Sequence, residues 1–113
     1  MKDDLNLLND ASWKIEFAFD THPQFFERIQ EFRPLMQDLK TAIYKLGATA
    51  GVLIVDHSNR KDPTRGPLDY LAAADRLLTS FHELLFEDEK TAAYAAAKLE
   101  VDQLMGKARE ALA

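Results

Sequence analysis

Cysteine is absent from this 113-residue chain. That excludes a structural disulfide, a thiolate nucleophile and a Cys-ligated zinc site, and it suits a cytoplasmic protein. Serine is reduced to Ser12, Ser58 and Ser80, none in a nucleophile-elbow pattern. Long apolar runs are missing too. The longest, Leu46 to Val55, stops at Asp56, well short of the roughly 18 residues that a membrane span needs. The polar start, Met1-Lys2-Asp3-Asp4, is unlike a signal peptide, so the chain reads as intracellular and complete. Positive charge is in deficit: 14 Lys and Arg face 19 Asp and Glu, for a net charge of −5. A duplex-coating protein usually has a basic face, so nucleic acid is not an expected partner.

Apolar side chains are abundant. They make up 47% of the chain, with one Trp, three Tyr and seven Phe. That is enough for a core without staples, in a single domain spanning 1–113. The period of these residues is helical. Leu5, Leu8, Ser12, Ile15 and Phe19 fall at three- and four-residue steps, widened by Trp13 and Phe17. Thr21 with Gln24 matches a capping box, and Pro23 suits a first turn. A second helix is therefore expected there, burying Phe25, Phe26, Ile29 and Phe32. Pro34 predicts a kink or break near Arg33.

A third, long helix is expected from Leu35 to His57, with Leu39, Ala42, Leu46, Ala50 and Leu53 on one stripe. Val52 to Val55 is β-branched enough to form a strand locally, but the heptad phase runs through it and a lone strand has no partner. The loop Ser58–Pro67 follows, then a Leu-rich helix from Pro67, then an Ala-rich last helix capped by Asp88. The fold class is all-α: an up-down bundle of four to five helices, with a long third helix and an Ala-rich C-terminal helix. Gly47, Ala48, Ala50 and Gly51 form a small-residue strip that permits close approach of the last helix, with a subunit interface as the alternative.

Few side chains have the spacing of a reactive set. No Glu-x-x-His pair exists, and no two His lie four residues apart, so di-iron and zincin patterns are missing. The metal candidates are Asp56, His57, His82 and Glu83, should their helices converge. Gly47 to Gly51 lacks the Lys and spacing of a P-loop. No cofactor motif is present. Asn59, Arg60, Lys61 and Arg65 place three positive charges just before the helix at Pro67, where free N–H groups and the helix dipole favour an anion. Ordinary pairing of Arg60 and Arg65 with Asp56, Asp62 or Asp69 is the expected state of this 59–65 loop, with a small anion as the alternative occupant.

Two resemblances involve His82. Arg76 to His82 resembles the Arg-x(4–6)-His motif of the HEPN family, helical bundles that often cleave RNA as dimers. The resemblance implies that Arg76 stabilises phosphorane charge and His82 moves the proton, although Leu77 stands where the family has a polar residue. Phe81-His82-Glu83-Leu84 is similar to the phospho-acceptor box of sensor kinases, without the following Thr-Pro, which implies a histidine phosphotransfer bundle. A ligand or cofactor sensor is a further alternative, its pocket lined by Trp13, Phe17, Phe25, Phe26 and His57. The leading expectation is a small non-enzymatic interaction or regulatory module. It would act as a homodimer or docked on a partner protein through a helix face, given the wide apolar stripes.

Overall fold

The computed structural model describes residues 2–52 and 66–113. Four α-helices account for most of them: α1 (Lys2–Asp20), α2 (Ile29–Thr49), α3 (Pro67–Leu84) and α4 (Ala92–Leu112), with a single 3-10 turn at Glu87–Glu89 before α4. The described residues contain no strand. The protein is all-α.

The α1 stripe packs as its period requires. Leu8, Ser12, Ile15 and Phe19 are all buried. After α1 the chain departs from expectation. Residues 21–28 form turns, not a helix. Thr21 does not cap forward; its hydroxyl donates back to the Phe17 carbonyl at 2.7 Å. His22 Nδ1 takes the Gln24 N–H at 3.1 Å. The expected second and third helices are instead one helix, α2, and Pro34 lies inside it. Gln30, whose carbonyl the Pro34 position would normally engage, is exposed, so water can serve that carbonyl. Of the four residues expected to be buried here only Phe32 is; Phe26 is 82% exposed.

The second departure is where the long helix stops. It ends at Thr49, and Val52 is not helical. Gly51 has φ +77°, its N–H bonds to the Ala48 carbonyl, and the Val52 N–H bonds to the Gly47 carbonyl at 2.8 Å. This is a complete Schellman ending. It overrides the heptad phase that pointed on to His57. Residues 53–57, with the helix-or-strand question at 53–55, lie outside the described residues. A Cβ at position 51 would meet nothing within 4 Å, so the left-handed backbone is the whole penalty. Gly51→Ala is expected to cost about 1–2 kcal/mol, measurable by urea unfolding.

At 19, 21, 18 and 21 residues the four helices are of similar length, so the long helix is not an outlier. The closest pairings are α1 with α3 and α2 with α4, followed by α1 with α2 and α3 with α4. Phe19 meets Phe32, Phe17 meets Tyr70 and His82 meets Tyr94, while Arg28 reaches the Ala111 carbonyl. Each contact joins the end of one helix to the start of its neighbour, so every adjacent pair is antiparallel. Sequence neighbours are antiparallel across the short connections. The exception is α2 and α3, which run the same way across the diagonal, because Val52 and Gly66 stand at opposite ends of the bundle. One core cluster draws Ile15, Leu39, Leu78 and Val101 from the four helices. Of the proposed small-residue strip only Gly47 is buried; Ala48 and Gly51 are exposed.

Candidate functional site

The sequence motifs direct attention to α3 and its junction with α4. Pro67 takes the first position of α3, with Gly66 as the extended N-cap. Asn59, Arg60, Lys61 and Arg65 lie outside the described residues. The described part of that helix start already carries an anion of its own: the Asp69 carboxylate accepts the Gly66 N–H at 3.5 Å. A negative charge in the first turn satisfies the dipole that a bound anion would otherwise use.

Arg76 and His82 both sit on α3. Six residues of helix separate them by about 9 Å along the axis and about 120° around it, so their side chains leave from different sides of one chain. Arg76 is exposed, in a groove between α3 and α4 that Arg109 also lines.

His82 is half-buried, and its environment is specific. Its ring stacks on Tyr94 at 5.7 Å and 18°, and Nδ1 lies 2.8 Å from the Tyr94 hydroxyl. Tyr94 is positioned by the real cap of α4, Thr91, whose hydroxyl accepts the Tyr94 N–H at 3.1 Å. Asp88, the expected cap, lies in the 3-10 turn instead. Tyr94 is 2% exposed. Burial, with the charge of Asp102 adding to it, pushes its phenol up to about 12. The phenol therefore keeps its proton and can donate to Nδ1 in the tautomer that carries its hydrogen on Nε2. In that tautomer neither ring nitrogen presents a free lone pair, as a phosphate acceptor or general base requires.

The remaining candidates do not converge. Asp56 and His57 fall outside the described residues, and Glu83 is exposed on α3. Among the described residues no group of His, Asp and Glu is placed to hold a metal ion. The aromatic residues proposed for a ligand pocket fall into two pairs, Trp13 with Phe17 and Phe25 with Phe26. Phe17 belongs to the core.

Two polar junctions escaped the sequence reading. Lys40 bonds Glu16 at 2.8 Å and lies 5.4 Å from the Trp13 ring, tying α2 to α1. Arg28 grips Glu31 through Nε and Nη2, donates Nη1 to the Ala111 carbonyl at 3.2 Å, and lies 4.4 Å over the Phe32 ring. Hydrogen bonding to Arg28 holds the Glu31 carboxyl below its usual range. The three-residue step from Arg28 to Glu31 is legible as a pair. The link from Arg28 to residue 111 joins opposite ends of the sequence and has no local signature.

No family model, characterised protein or solved structure matches this chain. Among the described residues no helix is long and apolar enough to cross a membrane.

Proposed function

We propose that the chain is a non-enzymatic helical docking module, working by presenting a helix face to a protein partner. One observation carries this reading: large apolar side chains stand outside a core that is otherwise closed. Phe26 and Phe86 are 82% and 69% exposed, and Leu68, Leu84 and Leu99 are exposed as well. Isolated exposed leucines are ordinary, but exposed aromatic rings are the side chains that most often anchor interfaces. The state of His82 adds support, since its ring is engaged by Tyr94 and not presented to a substrate.

Native mass spectrometry of the protein purified from its own host tests the reading. The expected spectrum contains the chain in a complex with a second protein chain, of its own kind or another. A spectrum containing only the bare monomer, at concentrations where the host complex should persist, overturns it.

A further inference from the structure

The outer side of α3 carries Leu68, Ala72, Arg76, Thr79 and Glu83 at four- and three-residue steps, and Phe86 continues the line just past the helix end; all six are exposed. The two ends of this line differ in charge. At one end Arg76 of α3 and Arg109 of α4 border a groove of about 380 Å³ that includes Leu68 and Ala72. Neither arginine has an ion-pair partner among the described residues. At the other end Glu83 and Asp88 stand beside the protruding Phe86, while Glu87 pairs with Lys90 at 3.6 Å. One half thus offers a groove in which two guanidinium groups outnumber the one carboxylate of Asp75, and the other offers an aromatic ring with carboxylates. Ala72 and Phe86 are each seven residues from Thr79, so a half-turn about Thr79 superimposes ring on groove and acid on base.

We propose that a second copy of this chain docks antiparallel on α3, across a two-fold axis near Thr79. Phe86 of each copy enters the other's groove over Ala72, and Glu83 and Asp88 of each copy meet Arg76 and Arg109 of the other. The contact is isologous, so it closes at two copies. This inference rests on the docking reading above and names its face and its occupant. The small side chains at Ala72 and Thr79 let the helices approach where they cross. One helix about 10 Å wide and about 27 Å long presents roughly 270 Å² from each copy. That falls short of the ~800 Å² per partner of a standard interface, so the dimer forms in the micromolar range and weakens with salt.

Sedimentation velocity of the full chain, from about 1 μM to about 1 mM, tests this. Phe86→Ala and Arg76→Glu are each expected to weaken the dimer by about tenfold or more. The double variant Arg76→Glu with Glu83→Arg restores it to within about threefold. These side chains are exposed, so the helical circular dichroism should not change. As the chain has no cysteine, Thr79→Cys supplies a single thiol on the axis. It should oxidise to a covalent dimer faster than Arg33→Cys on the exposed side of α2.

A wild-type chain that stays monomeric throughout overturns the proposal. So does a dimer that none of these variants disturbs, which would mean association through another face and leave the docking reading standing. A different protein captured with a monomeric chain from the host would likewise sink this inference alone.

Discussion

Phe32→Ala is expected to lower the unfolding free energy by about 3–5 kcal/mol, read from urea denaturation with an unchanged slope. Phe32 is fully buried. It packs edge-on to Phe19 at 5.5 Å and to His22 at 5.0 Å, beneath the Arg28 guanidinium. The truncation leaves a cavity where the end of α1, the α1–α2 turn and the start of α2 meet, so three elements lose a shared contact. Arg28 also loses the ring that positions it over the Ala111 carbonyl. A domain of this length holds a net stability of only about 6–17 kcal/mol, so the loss takes a large fraction of it. Phe26→Ala is the control. That ring is mostly in water, and its truncation should stay within about 0.5 kcal/mol. Equal effects from the two variants would contradict the packing of this corner.

The second large effect is alkaline and belongs to Tyr94. In the unfolded chain its phenol ionises near 10; in the folded protein it holds its proton to about 12. Between these values the unfolded state has released a proton that the native state keeps, so stability falls as pH rises. The contribution is intact below pH 10 and lost on passing through 12. Two pH units correspond to about 2.7 kcal/mol. Tyr94→Phe keeps the ring stacked on His82 and removes the hydroxyl. Near pH 8 it should be less stable than the parent by about 1 kcal/mol, the worth of the lost hydrogen bond. Near pH 12 the order should invert, because the variant has no phenol to ionise. Urea unfolding at both values, with tyrosinate absorption followed in parallel, reads the inversion. The same order at both values would refute the buried phenol.

These two residues show how unevenly the fold could be read. The α1 stripe, the Pro67 start of α3 and the Ala-rich α4 follow from local period and local breakers, and each forms where the pattern places it. The region around Phe32 does not follow. Thr21, Gln24 and Pro23 make a valid start signal, yet the Thr21 hydroxyl turns back to Phe17 and the helix begins at Ile29. Pro34 reads as a breaker, but its missing bond falls on an exposed stretch of the helix, where water can replace it. Gly51 was visible, but its neighbours Gly47, Ala48 and Ala50 made it look like part of a packing strip. The candidate site was legible to a similar degree. His82 stood out as a rare titratable residue on a helix. Nothing in the chain marks Tyr94, twelve residues on, as its partner, because that bond depends on how α3 and α4 pack.

From composition and period alone, the sequence determined the all-α class, the helical stripes and the lack of cysteine, P-loop and Glu-x-x-His chemistry. Each of these depends on residue identity or on neighbours within one or two helical turns. The tertiary structure decided that α2 runs through Pro34, that α2 and α3 are parallel across the diagonal, that His82 faces a buried phenol and that Arg28 closes on residue 111. It also decided which aromatic rings stay in water. These outcomes rest on contacts between residues far apart in the chain, and the free energy of such contacts arises only when the helices pack together.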